Sequence, residues 1–244
     1  MGDDERLIFD KALRAAGSSL GVTLSDEHCA ALWRHRALVI EANRRFNLTR
    51  ITEPAEFAAK HHADSLSVVR WCGDAGVSVG CVLDVGTGAG VPAVPLAMVR
   101  PDWQVTAIDG TGKKARFVAD VARRLSLANL AAVHARAETW AAPAAFDLVV
   151  FKAIGALARC LKVGRRHVAR DGYLVIYKTA EVPADEVAAG QSAARRYGFD
   201  ASDVFRYDLP VSDTVMSRVL WIFRQGGDQP SRRAGGFGRH GRSP

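Results

Sequence analysis

Cys81–Met98 reads C-V-L-D-V-G-T-G-A-G-V-P-A-V-P-L-A-M. The short apolar run Val82-Leu83 reaches Asp84 and Val85, and three glycines follow at alternate positions, Gly86, Gly88 and Gly90. An apolar stretch of helix formers comes next. This order predicts a buried strand, a tight turn and a helix start. Glycines in such a turn admit positive φ and let a ligand approach more closely than a Cβ would permit. The free N–H groups at the helix start add a partial positive end.

Two cofactor classes use a strand, glycine turn and helix, and spacing separates them. A dinucleotide fold wants G-x-G-x-x-G, with the pyrophosphate on the helix N-terminus. Here the third glycine comes one residue early, and Val91 stands where the dinucleotide pattern needs glycine. An acid, Asp84, also precedes the first glycine by two residues. D-x-G-x-G-x-G resembles motif I of the class I S-adenosylmethionine-dependent methyltransferases, where the acid lies near the methionine end and the glycines make room for the cofactor.

Downstream, strand and helix patterns alternate, which predicts an α/β fold with a parallel, doubly wound sheet. Strands are expected at 81–85, 104–108, 131–134, 146–151 and 172–177, with a closing pair at 204–209 and 218–224. Helices are expected at about 91–99, 113–125 and 183–197, and over a basic stretch carrying Arg159, Lys162, Arg165, Arg166 and Arg170. Asp109 ends the second strand, where a carboxylate suits a bidentate grip on ribose hydroxyls. Ala137 and Glu138 follow the third strand, beside the place where methyltransferases commonly hold adenine. Lys152 ends the fourth strand. Ligands of open parallel sheets bind at the carboxyl ends of the strands, so Lys152 is expected near the methyl acceptor.

Upstream, residues 1 to about 70 read as helices. Asp3–Ala16 has a helical apolar period, Gly17-Ser18-Ser19 ends it, and Ser25 is an N-cap candidate for a helix reaching about Arg45. The exposed side of that helix is expected to carry Arg34, His35, Arg36, Arg44 and Arg45, either as a solvated face or as a phosphate-contacting patch. Thr52 is expected to cap a short helix with Pro54 in its first turn. His61, His62 and Asp64 invite a metal reading, but adjacent histidines on a helix point about 100° apart and no further ligands are suitably spaced, so no metal is expected.

The chain has 244 residues, 48% hydrophobic and 24% charged, as in globular proteins. No apolar run approaches the about 18 residues of a membrane span, and M-G-D-D-E-R does not begin like a secretory signal. Cys29, Cys72, Cys81 and Cys160 form no C-x-x-C pair and read as reduced thiols of a cytoplasmic protein. Lys and Arg outnumber Asp and Glu by 33 to 26, a net charge of +7 that favours a polyanionic partner. After Arg224 the chain turns glycine-rich and basic, and Arg232, Arg233, Arg239 and Arg242 are expected either to order on RNA phosphates or to belong to an inert tail.

Several stretches together resemble the RsmG (GidB) family of small-subunit ribosomal RNA methyltransferases. They are F-N-L-T-R-I-T (46–52), K-H-H-A-D-S-L (60–66), D-V-G-T-G-A-G-V-P-A-V-P-L-A (84–97), G-K-K-A-R-F (112–117), R-A-E (136–138) and G-Y-L-V-I-Y-K (172–178). The paired prolines, Pro92 and Pro95, carry more of the likeness than the glycines. The family usually has Arg-Ala where this chain has Lys152-Ala153, and lysine keeps the charge without the planar fork of arginine.

The resemblance implies a class I methyltransferase fold, Rossmann-like, with a mostly parallel seven-stranded sheet and a helical N-terminal extension. It implies an extension over residues 1–70, a cofactor domain over 71–224 and a basic tail over 225–244. The implied activity is methyl transfer from S-adenosylmethionine to N7 of a guanine in 16S ribosomal RNA, with free RNA or the ribosomal subunit as partner and no obligate protein partner. Carried over by motif, Asp84, Gly86, Gly88, Gly90, Asp109, Ala137 and Glu138 would bind the cofactor. Lys152, Asn47 and Lys113 would lie at the acceptor, and Arg44, Arg45, His62, Lys114, Arg232 and Arg233 on the RNA, with Asp64 an alternative to His62. Two other readings stay open: a divergent methyltransferase for a small molecule or protein, and a non-catalytic, cofactor-sensing RNA-binding protein.

Overall fold

The computed structural model describes residues 2–141, 146–200 and 203–226. Two helices open the chain. Helix α1 (Asp3–Ser19) has three acids in its first turn, complementing the helix dipole, and buries Phe9, Leu13 and Ala16. Helix α2 (Asp26–Asn43) is capped by Ser25, whose side chain accepts from the His28 N–H while the His28 ring returns a bond to the Ser25 N–H. It buries Leu32, Leu38 and Val39, but also His35 and Arg36.

A continuous helical stretch follows in three parts: α3 (Pro54–Glu56), a π-helical segment (Phe57–Ala63) and α4 (Asp64–Asp74). The cap is Glu53, which accepts from the Glu56 N–H at 2.8 Å, rather than Thr52. The wider π-turn departs from the 3.6-residue period and brings Phe57, His62 and Asp64 all inward.

Among the described residues seven strands form one sheet in the order β3-β2-β1-β4-β5-β7-β6, with only β7 (Thr214–Arg224) running antiparallel to its neighbours β5 (Val168–Thr179) and β6 (Asp203–Val211). Strand β1 (Cys81–Val85) lies between β2 (Gln104–Asp109) and β4 (Phe146–Lys152), and β3 (Leu130–His134) forms the far edge. The chain switches direction across the sheet at β1 and β4, so the crevice at their carboxyl ends is the place for a ligand.

Residues alternate between the two faces along the strands. Val82, Leu148, Val150 and Val175 join a core with α1, α2, α4, α5 (Ala93–Val99) and α6 (Gly112–Arg124). Leu83, Val149, Phe151 and Ile176 join a second core with α7 (Leu157–Gly164) and α8 (Ala184–Tyr197).

Helix α7 ends before Arg165, and Arg170 lies in β5, so the expected single basic helix is a helix, a turn and a strand. The Phe146 N–H bonds the His167 carbonyl at 2.7 Å, which draws residues 167–168 alongside β4 and starts β5 four residues before Gly172. The four cysteines are free thiols, and Cys81 alone is not buried. No helix among the described residues is long and apolar enough to cross a membrane.

Candidate cofactor cleft and its buried support

The glycine turn hangs from β2. The Gly86 and Thr87 N–H groups both donate to the Ile108 carbonyl, at 2.7 and 3.1 Å. Gly86 has φ 73° and Gly90 φ 83°, values that disfavour any side chain. A Cβ on residue 86 would lie 2.0 Å from Ile154 Cδ1, and one on residue 90 would lie 2.8 Å from Val94 Cγ2.

Asp109 accepts from the Gly88 N–H at 3.1 Å and from the Thr111 N–H at 2.8 Å, one bond to each oxygen. Each oxygen keeps further lone-pair capacity beyond these bonds. Asp84 is buried beneath the turn and accepts from the Ala93 N–H at 3.2 Å. Burial pushes its carboxyl up to about 7. A cleft of about 150 Å³ opens between the ends of β1, β2 and β4, lined by Gly86, Ile108, Ala137, Glu138 and Ile154. Ala137 is buried and Glu138 exposed, 3.7 Å from Arg159. Gly86, Ala137 and Glu138 line this crevice, Asp109 is tied to the glycine turn through the Gly88 N–H, and Asp84 lies buried beneath the turn. A narrow, mostly apolar slot with a carboxylate on its rim suits an adenosine, and a turn without side chains admits the remainder of S-adenosylmethionine.

Behind the turn stands a pair of histidines. His35 Nε2 lies 2.9 Å from the Ala89 carbonyl, and His35 Nδ1 lies 3.0 Å from His62 Nε2. A carbonyl only accepts, so His35 donates through Nε2. Its Nδ1 then accepts, and His62 donates from Nε2. The chain closes with both rings neutral. Burial drives His35 down to about 4 and His62 well below its ordinary value. Phe57 and Phe9 pack edge-on against His62 at 5.0 and 5.6 Å. His35 was expected on the surface and His62 on RNA. Both are fully buried, because their partners are each other and the glycine turn. Arg36 is likewise inside, donating to the Thr52 carbonyl at 2.7 Å with its guanidinium 5.0 Å from the Trp33 ring.

Asp64 gathers a second buried cluster. Tyr207 donates to it at 2.7 Å, Arg218 at 3.2 and 3.3 Å, and Lys152 Nζ lies 3.1 Å away. Burial alone would raise the Asp64 carboxyl, but Lys152 and Arg218 hold it below the usual range. Lys152 also donates to the Lys60 carbonyl at 2.9 Å. Lys152 was expected near the methyl acceptor. It is 9% exposed and directs two of its three donors into the protein, tying the end of β4 to the π-helical segment.

The remaining acceptor-side residues cluster apart. Asn43 closes the loop after α2 by accepting from the Leu48 and Thr49 N–H groups at 2.7 and 3.2 Å, which leaves Asn47 exposed at its tip. Arg44 and Arg45 are exposed, and Arg45 pairs with Glu41 at 2.8 Å. Lys113 Nζ stands 5.7 Å over the Phe46 ring, beside half-buried Lys114. A cavity of about 270 Å³ between α2 and α6 is lined by Arg45, Phe46, Lys113 and Arg116. Arg232 and Arg233, with the rest of the basic tail, lie outside the described residues.

Among solved structures the fold is similar to Burkholderia thailandensis 1,6-didemethyltoxoflavin-N1-methyltransferase with bound S-adenosylhomocysteine. The TM-score is 0.51 at 16% identity, over 84% of this chain and 93% of that one. Among curated proteins, two named ribosomal RNA small subunit methyltransferase G are similar in sequence. The Solibacter usitatus protein is 37% identical over 80% of this chain and 90% of its own length. The Leuconostoc citreum protein is 31% identical over 92% and 95%. Residues 28–207 match the family described as GidB, rRNA small subunit methyltransferase G. This chain, then, belongs to the GidB family.

Proposed function

We infer that this protein transfers a methyl group from S-adenosylmethionine to N7 of a guanine in small-subunit ribosomal RNA. The observation that carries the reading is the Gly86-Gly88-Gly90 turn beside a narrow cleft, with Asp109 bonded to the Gly88 N–H and Asp84 to the Ala93 N–H, in a chain of this family. In this reading Asp84, Gly86, Gly88, Gly90, Asp109, Ala137 and Glu138 hold the cofactor. Arg44, Arg45, Asn47, Lys113 and Lys114 meet the RNA. Residues 1–70 form an extension that shapes the acceptor side, residues 71–224 the cofactor domain and 225–244 a basic tail, and the enzyme works in the cytoplasm.

The bound cofactor supplies a methyl on a positively charged sulfur, ready for in-line displacement. The protein's task is therefore alignment. Guanine N7 offers a lone pair and carries no proton, so no side chain has to act as general base. The reacting guanine becomes cationic, and a cation beside the ring would oppose that charge. The basic residues therefore serve phosphates or guanine O6, which accepts hydrogen bonds. Asp109, fixed by two backbone N–H groups, is prearranged for ribose hydroxyls. Lys152 acts as a strut: its bonds to Asp64 and the Lys60 carbonyl hold the π-helical segment against the strand end where the acceptor must enter.

The test supplies labelled S-adenosylmethionine with small subunits lacking the modification and maps the labelled base. Label at a guanine that blocks N7 chemistry supports the reading. RNA without label, with the cofactor bound, overturns it.

A further inference from the structure

On the face of the sheet away from the N-terminal helices, α7 and α8 do not close on each other. Between them lies a groove of about 750 Å³, walled by Arg159, Lys162, Arg165 and Arg166 from α7 and the turn after it, and by Arg196 from α8. All five side chains are exposed. The one acid in its lining, Glu138, stands beside Arg159 at the groove's end, and among the described residues the other four cations have no ion-pair partner. Elsewhere on the surface Arg6, Arg45, Arg70, Arg100 and Arg123 each have a carboxylate within 2.8 Å, while Arg44, Lys113 and Arg116 have none among the described residues. The groove therefore concentrates positive charge that the protein itself does not neutralise.

The cations are also held in place. The Arg165 guanidinium lies 4.7 Å from the centre of the Tyr197 ring and that of Arg196 5.9 Å from the same ring, so one aromatic steadies a like-charged pair. Arg159 and Lys162 are three residues apart on α7, neighbours on one side of the helix at about 5–6 Å between Cβ atoms. Small residues, Ala158, Ala189 and Ala193, leave the floor open. The groove runs into the cofactor cleft, for Glu138, Arg159 and Val163 line both.

We propose that the groove between α7 and α8 is a phosphate cradle that seats the sugar–phosphate backbone of the substrate RNA beside the cofactor cleft. The proposal rests on the RNA substrate inferred above. A row of closely spaced, unneutralised cations in a concave, small-residue channel matches a chain bearing one negative charge per nucleotide, and the continuity with the cleft puts that chain beside the reaction. The cradle recognises backbone and not base, so its contribution is affinity and register. It lies on the opposite face of the sheet from Arg45 and Lys113, so RNA held at both places would embrace the ends of the strands.

The experiment uses the full chain. Lys162, Arg165, Arg166 and Arg196 are replaced by glutamine together, and in a second protein the three arginines become lysine, which keeps the charge. Binding of a small-subunit ribosomal RNA fragment is titrated over a range of salt, with S-adenosylhomocysteine affinity and thermal melting measured alongside. The glutamine protein is expected to lose at least tenfold in RNA affinity at about 100 mM salt. The slope of log K against log salt should shrink by about 0.7–0.9 for each phosphate that the protein no longer neutralises, with KM for RNA raised and kcat at saturating RNA within a few-fold. The lysine protein is expected to keep most of the slope, while cofactor affinity and melting stay unchanged in both. Were the glutamine protein to misfold, the single variants Arg166→Gln and Arg196→Gln carry the same test, each losing about one unit of slope. Unchanged affinity and slope, with wild-type methylation intact, would overturn the cradle and leave the functional reading standing. Lost turnover at unchanged RNA affinity would also overturn it. A wild-type protein that neither binds nor methylates the RNA would overturn both.

Discussion

On the face of the sheet covered by α1, α2 and α4–α6, charge is buried and paired: Asp64 with Lys152, Arg218 and Tyr207, and neutral His35 with His62 and the Ala89 carbonyl. In the groove between α7 and α8, on the other face, Lys162, Arg165, Arg166 and Arg196 are exposed with no carboxylate partner among the described residues. Both arrangements flank the same crevice. The first ties the glycine turn and the end of β4 to the N-terminal helices in one geometry. The second leaves attraction unspent for a partner. Buried, paired charge and exposed, unpaired charge thus lie on opposite sides of one sheet.

The contrast is tested most severely at Asp64. Asp64→Ala strands Lys152 and Arg218 without their anion inside the protein, and a loss of about 3–5 kcal/mol is expected in denaturant unfolding. Asp84 gives the next largest effect, and it depends on pH. Its carboxyl ionises near 3.8 when unfolded and near 7 when folded. The stabilisation is complete below 3.8 and lost as pH rises through about 7. Asp84→Asn, with no charge to bury, should therefore gain on the wild type across that window by up to about 1.4 kcal/mol per pH unit in cofactor-free unfolding.

His35→Ala removes a buried ring and the grip on Ala89, for an expected loss of about 2 kcal/mol at pH 7.5 and a weaker hold on S-adenosylhomocysteine by calorimetry. A ring whose ionisation is depressed from 6.5 to about 4 stabilises fully above 6.5 and ceases to do so as pH falls through 4. The difference between the two proteins should shrink over that range. Ser25→Ala removes the α2 cap on the exposed surface, for about 1 kcal/mol. The four-glutamine groove variant should leave the melting midpoint where it was, in contrast with every substitution on the other face.

The sheet was legible because its strands are short apolar runs with turn signals between them, and β1 spans the residues the sequence indicated. The glycine turn was legible because its pattern is local, and the structure has positive φ at Gly86, Gly88 and Gly90. The support behind them was not. His35 and Arg36 read as surface residues since their partners, the Ala89 and Thr52 carbonyls, lie 54 and 16 residues away. The π-helical segment has a period that an α-helical reading does not contain, so the inward direction of His62 and Asp64 was hidden. Lys152 was placed at the correct strand end, yet its bonding to Asp64 depends on how the first helices dock against the last strands. No local pattern encodes that docking.

The Asp64 cluster also bears on how the protein is made. Arg218 lies 154 residues downstream of Asp64, and Tyr207 143. At about 5–20 residues per second, a translating ribosome needs roughly 8–30 seconds between them. Lys152, in β4, is made before either and can already pair with the acid. The cluster is therefore completed in two stages, first by the middle of the sheet and then by its last two strands, which close the bonding of the N-terminal helices only when the chain is nearly finished.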